Sequence, residues 1–322
     1  MTGDRTQPGS IAGHAIPPRL AEGTDPGLTA WRERLPGLVE ELLDRWGLTT
    51  GAPFLPGGSS AWVAPVRTAE GQDRVLKVAW AHDESRDEAA GMAAWQGYGA
   101  ARVHRHERRG ETAALLLDRV RPGVPLAEQL TWPERDEVVA AVARRLWRPP
   151  AELVGAESAA GFRPLAEMCA GWADEAQQRA DADRSPLPRD LVEHGLGLFR
   201  ELPVRWDGEP VLLATDLHPD NVLSSTGSGT ETRLDAGAEH GWVLIDPKPY
   251  VGDPHYDVLQ HMLNDPDRLR AQPGRFAERM AELAGLDPDR VRRWLLARCV
   301  QEAGEHGVAA DAALALAADG VE

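Results

Sequence analysis

The segment Thr215-Asp216-Leu217-His218-Pro219-Asp220-Asn221-Val222-Leu223 places a carboxylate and an amide in an Asp-x4-Asn arrangement, directly after the apolar run Val211-Leu212-Leu213-Ala214. An aspartate on such a loop can take the proton of a substrate hydroxyl, and the asparagine can ligate magnesium, which together is the chemistry of phosphoryl transfer. Asp, Asn and Pro also favour plain turns, so the segment alone leaves both readings open. A second aspartate, Asp246, ends the apolar run Val243-Leu244-Ile245. A strand-end carboxylate there can hold a metal that bridges nucleotide phosphates, or simply cap a turn. That both acids close apolar strands favours chemistry over coincidence.

A third candidate is cationic. Lys77 sits mid-strand in Arg74-Val75-Leu76-Lys77-Val78-Ala79, and an acid-headed helix follows. A strand lysine held by a helix glutamate can reach phosphates. Glu84 and Glu88 are the candidate partners, and Glu88 is preferred because it lies deeper in the helix. Lys77 and Lys248 are the only lysines among 35 Lys and Arg residues. Codon bias would account for the arginines. A requirement for a compact ammonium would account for the two exceptions. Before the first strand, Gly57, Gly58, Ser59 and Ser60 could fold over phosphates through backbone N–H groups, although Gly-Gly-Ser-Ser is also a common loop and is no Walker A motif.

These groups need elements to position them. Residues 1–25 lack apolar periodicity and read as a mobile leader. Helical spacing covers Leu28 to Trp46, with Pro36 able to split it in two and Gly47 as a stop. Strands are expected at 61–68, 74–80, 101–106 and 112–120, and a helix at 83–95. Beyond Arg121-Pro122-Gly123 the pattern is mostly helical: 132–146, 164–180, 188–202, 254–263, 274–283 and 287–317 with breaks. Two strands, 210–214 and 241–245, flank a polar low-complexity loop. The expected organisation is a leader (1–25), an N-terminal nucleotide-binding lobe (26–120) and a C-terminal catalytic and substrate-binding lobe (121–322).

The whole chain bounds its partners. Its 322 residues can bury a sizeable core. A net charge of −16 argues against nucleic acid and anionic membranes as partners. No apolar run approaches a membrane span, no secretory signal is visible, and Cys169 and Cys299 have neither metal nor redox spacing. A cytoplasmic protein, monomeric or dimeric, is the simplest expectation.

The segments LLATDLHPDNVL and VLIDPKPYVGDPHYDVLQ resemble the aminoglycoside phosphotransferase superfamily. IDPKP followed by VGDP-x-YD is most similar to the branch holding streptomycin 6-kinases and hydroxyurea phosphotransferases, to which bacterial glucosamine kinases are related. WLLARCVQE (294–302) resembles that branch too, and the resemblance spans roughly residues 50–305. It implies an α+β, bilobal protein-kinase-like fold with a β-rich N-lobe and a larger helical C-lobe. It implies ATP and Mg2+ as cofactors, Asp216 as catalytic base, and Asn221 and Asp246 as metal ligands. Lys77 with Glu88 would orient the phosphates, Asp118 to Val120 would meet the adenine, and Asp253 would brace the catalytic loop. The sequence departs from the family at Ala214-Thr215, where His-Gly is usual. His218 is read as a packing residue, and Lys248 matches the motif without a physical role. The implied acceptor is a hydroxyl of a streptomycin-like aminoglycoside. Glucosamine or hydroxyurea are the alternatives, and a non-catalytic binding module is disfavoured by the intact residue set. The acidic excess suggests a cationic, hydroxyl-rich small molecule, met by Glu302, Asp174 and Glu175.

Overall fold

The computed structural model describes residues 10–83, 86–182, 184–227 and 241–321. Glu84 therefore lies outside the described residues, as does most of the polar loop, 228–240.

The N-terminal part is a five-stranded antiparallel sheet ordered Thr49–Thr50, Ala61–Arg67, Asp73–Trp80, Thr112–Asp118, Val103–Arg109. Lys77 is in register with Val63 on one side and Leu115 on the other, so it comes from a central strand. The helix Pro26–Trp46 covers one face. Its Trp31, Leu35, Val39, Leu42 and Trp46 recur at helical spacing and pack on Trp62, Val66, Leu76 and Leu116. Pro36 does not split this helix. Burial of the continuous apolar stripe outweighs the local disturbance at proline. Gly47 ends it in the left-handed conformation (φ 63°), donating its N–H to Leu43 and Asp44 carbonyls.

Residues 10–25 correct the expectation of a mobile leader. Ser10–Ile11 pairs with His14–Ala15, Pro18–Glu22 is helical, and Ile11 and Leu20 are wholly buried against the long helix. Two well-placed apolar side chains suffice to dock a short segment whose composition looks like linker.

The second half is helical around one large core. The helix Trp132–Leu146 lies where its spacing predicts. The late helical pattern resolves into Pro288–Glu302 and Gly307–Ala318. Gly241–Leu244 pairs antiparallel not with the other expected strand, Val211–Leu213, but with Val222–Ser225, which also pairs with Pro122–Pro125. Val211–Leu213 pairs with Tyr250–Gly252. The strand expected at 101–106 runs Val103–Arg109. The helix expected at 83–95 is described from Glu88 to Trp95, and Asp83 and Asp87 ahead of it bond Arg163. No helix among the described residues is long and apolar enough to cross a membrane.

Gly91 in the Glu88 helix allows a close approach: a Cβ there would lie 2.2 Å from Pro249 Cγ. Alanine would gain about 1 kcal/mol of helix propensity on a free helix. Overpacking a rigid proline costs about 1–3 kcal/mol and should win. Gly91→Ala is therefore expected to lower the urea midpoint without changing the m-value.

Candidate active site

Three loop segments meet where the two halves face each other. Each is fixed by backbone chemistry before its side chains act. Ala214 and Thr215 follow the buried strand Val211–Leu213, and Thr215 is left-handed (φ 48°). Both of their N–H groups donate to the buried Asp257 carboxylate, at 3.2 and 2.6 Å. Trp147 Nε1 donates to the same group at 2.9 Å. Burial raises the Asp257 pKa above the ordinary value, and these three donors work against it. This turn aims Asp216 into the space between the halves. The Asn221 amide donates back to the Asp216 carbonyl at 3.0 Å, and Ile245 N–H donates to the Asn221 carbonyl at 2.8 Å. Asn221 and Asp246 are thereby held side by side on neighbouring strand ends.

Lys77 joins the two halves. Its Nζ lies 2.7 Å from Glu88 Oε1 and 2.5 Å from Asp246 Oδ1. Glu88 is thus the helix partner that sequence reasoning favoured. Burial alone would lower the Lys77 pKa, but Asp246 and Glu88 outweigh it and hold the ammonium charged. Burial likewise works to raise the Asp246 pKa, and Lys77 prevails and keeps it below the ordinary carboxylate range. Asp246 is left-handed as well (φ 53°), and its side chain is 55% exposed, so its remaining oxygen can face a ligand. The Asp246 carboxylate and the Asn221 amide oxygen are hard donors of the type magnesium takes.

Asp253 does not brace the Asp216 loop, contrary to expectation. It is wholly buried and accepts from His255, Arg290 Nε (2.6 Å) and Trp294 Nε1 (2.7 Å), tying its turn to the helix Pro288–Glu302. The short helix Pro254–Tyr256 turns the chain once, and Asp257 makes the contacts expected of Asp253. Asp118 is also engaged: its buried carboxylate meets His104 Nε2 at 2.7 Å and Arg74 at 3.5 Å. Gly57 is left-handed (φ 82°), and a Cβ there would strike Pro17, so packing alone explains that glycine. Gly58 has open space around it. The loop through Ser59 and Ser60 is joined to the Lys77 strand by the Trp80 N–H bond to the Ser60 carbonyl. His218 Nε2 stands 3.7 Å from Asp216.

Beside Asp216 opens a cleft of about 250 Å³. Glu175 and Glu302 line it, as the acidic excess suggested. Asp174 does not; it turns outward to Arg200 at 2.9 Å. Glu302 is ion-paired to the buried Arg298, whose guanidinium stacks 4.7 Å over Trp172. Glu175 makes no ion pair among the described residues. Lys248, Tyr250 and Arg298 also line the cleft and were not foreseen as lining residues. Arg298 lies within WLLARCVQE, but only tertiary burial distinguishes it from surface arginines.

Arg163 was missed altogether. It is buried, bonds Asp87 (2.6 Å) and Asp83 (2.8 Å), and stacks 4.6 Å over Tyr250. It thus bolts the start of the Glu88 helix to a wall of the cleft.

The model of the aminoglycoside/hydroxyurea antibiotic resistance kinase family matches residues 45–307. The chain belongs to this family. A hydroxyurea phosphotransferase of Kitasatospora aureofaciens is 34% identical over 84% of this chain and 72% of its own. A streptomycin 6-kinase of Streptomyces glaucescens is 32% identical over 85% of this chain and 83% of its own. Among solved structures, the aminoglycoside phosphotransferase APH(3'')-Id of Streptomyces rimosus, in complex with ADP and streptomycin, matches with a TM-score of 0.50 and 19% identity, covering 83% of this chain and 98% of that one. At that identity the likeness concerns the fold, which is bilobal and protein-kinase-like. Members of this antibiotic resistance kinase family are phosphotransferases, and this chain is one.

The Arg163 clamp makes a testable claim about the helix bearing Glu88. In Arg163→Met, amide hydrogen exchange across residues 89–95 should speed up at least tenfold, roughly 1.4 kcal/mol of lost local stability, while the helix Pro26–Trp46 keeps its protection. Arg163→Lys should not restore it, since an ammonium has no planar fork to span Asp83 and Asp87 while stacking on Tyr250.

Proposed function

We propose that this kinase transfers the γ-phosphoryl group of ATP, with Mg2+, to a hydroxyl of a streptomycin-like aminoglycoside. The observation that carries the reading is the position of Asp216. It stands on the floor of a carboxylate-lined cleft and beside the Asn221–Asp246 pair. The acceptor hydroxyl hydrogen-bonds Asp216, and as its oxygen attacks phosphorus the proton passes to that carboxylate. Lys77, oriented by Glu88, binds nucleotide phosphates. Asn221 and Asp246 would hold the metal, which supplies positive charge to the phosphates when bound. The backbone near Asp118 and Val120 receives the adenine, and the Gly58-to-Ser60 loop covers the phosphates. A loose transition state asks mainly for positioning and charge, and this residue set offers both.

The acceptor class follows from the cleft. Glu302 is already neutralised by Arg298. Glu175 therefore provides the unpaired carboxylate for a cationic acceptor, reinforced by the field of the other acids. The streptomycin 6-kinase relatives are in keeping with this. Hydroxyurea is the second reading, favoured by the relative from Kitasatospora aureofaciens and by the two cations, Lys248 and Arg298, that temper the cleft's negative charge.

Steady-state kinetics with ATP against streptomycin, glucosamine and hydroxyurea separates these readings. Streptomycin should be phosphorylated, with turnover falling about 10²–10⁴-fold in Asp216→Asn. Glu175→Gln should raise KM for streptomycin several-fold and leave KM for ATP unchanged. Turnover with hydroxyurea or glucosamine alone, indifferent to Glu175→Gln, would overturn the aminoglycoside assignment.

A further inference from the structure

Two lysines persist in a chain whose other Lys and Arg positions are all arginine, and the fold carries both to the reaction centre. Lys77 approaches from the sheet and touches Asp246. Lys248 approaches from the other side, with Nζ 3.5 Å from Asp216 Oδ2 and about a third of its side chain open to the cleft. Its backbone is pinned in both directions. Lys248 N–H donates to the Ala214 carbonyl at 2.8 Å, and its own carbonyl accepts from Thr215 Oγ1. Pro247 and Pro249 on either side restrict the chain further. The backbone that carries the ammonium is thus fixed close to Asp216.

We propose that Lys248 is a catalytic residue that contacts the phosphoryl group in flight, a role that rests on the phosphotransfer reaction above. The distances argue for it. An acceptor hydroxyl must come within about 3 Å of the Asp216 carboxylate to give up its proton. The phosphorus must then stand roughly 3–3.5 Å from that hydroxyl oxygen. An ammonium 3.5 Å from the same carboxylate is within reach of the phosphoryl oxygens. In the step itself, the acceptor oxygen–phosphorus bond forms and the bond from phosphorus to the β,γ-bridging oxygen breaks. ADP leaves, the hydroxyl proton goes to Asp216, and Lys248 keeps its own proton throughout. Charge spread over the three equatorial oxygens is met on the acceptor side by Lys248, while Lys77 serves the nucleotide side. A compact ammonium with three rotatable donors can follow a moving phosphoryl group, which a planar guanidinium fork does less well. That accounts for lysine at this one position of an arginine-rich chain.

Binding without any acceptor isolates the claim. Isothermal titration of the full chain with MgADP and with the magnesium complex of the non-hydrolysable analogue AMP-PNP compares nucleotides lacking and carrying the γ-group. Lys248→Met and Lys248→Gln should bind MgADP within about twofold of wild type and AMP-PNP at least about tenfold more weakly. Lys77→Met should weaken both. With the preferred acceptor, kcat of Lys248→Arg should stay at least tenfold below wild type although the charge is kept. Equal affinity changes for the two nucleotides, or none, would reduce Lys248 to a structural tether and overturn the proposal. A wrong acceptor would leave the binding arm intact. Wild-type protein that binds neither nucleotide would overturn the ATP reading and the proposal together.

Discussion

One ammonium shared by two carboxylates organises this molecule. Lys77 comes from the centre of the N-terminal sheet, Glu88 from the helix behind it, and Asp246 from a strand end of the other lobe. Removing the lysine from such a buried group typically costs about 3–5 kcal/mol, because it leaves Glu88 without water or counter-ion. The surrounding packing works to keep the triad in register. The central strand position fixes Lys77 between Val63 and Leu115. The Gly91–Pro249 contact sets how near the helix can come, and Arg163 fixes where it begins. In the proposed reading, Asp246 would offer its exposed oxygen to a metal while Glu88 retains the lysine.

The opposing lobe answers with local strain. Thr215 and Asp246 are two of four non-glycine residues with positive φ among the described residues, and both lie in this site. Such conformations cost about 1–3 kcal/mol each and survive only where the surroundings over-determine them. Here Asp257 satisfies the two N–H groups before Asp216, and the Lys248 and Ile245 amides close the loops onto one another. Precision at Asp216 is thus supplied by main-chain bonds rather than by the side chain's own contacts.

Much of this was legible in the sequence, and the reasons are physical. Asp216 and Asp246 each follow an apolar run and Asn221 precedes one, so chemistry and strand pattern coincide in a short window. Lys77 stood out against a background of arginine, and Glu88 followed from its depth in the helix. The family resemblance read over residues 50–305 is borne out over 45–307. What escaped depends on tertiary geometry. Asp253 and Asp257 lie one turn apart, and only the fold shows which of them faces the Asp216 loop. Arg163 carries no local signal, since its partners lie some 80 positions earlier. Glu302 matched a family segment, yet its buried neighbour Arg298 claims its charge, while Glu175 makes no ion pair among the described residues. Ile11 and Leu20 were too sparse for a periodic pattern, although both are buried.

The central claim is that Asp246 is shared between Lys77 and a nucleotide-bound metal. Electron paramagnetic resonance with Mn2+ in place of Mg2+ tests it most directly, reading free and bound ion as AMP-PNP is added to wild type and to Asp246→Asn. Wild type should immobilise Mn2+ in the presence of the nucleotide, and Asp246→Asn should bind the ternary ion at least tenfold more weakly. Equal Mn2+ immobilisation by the two proteins would contradict the account.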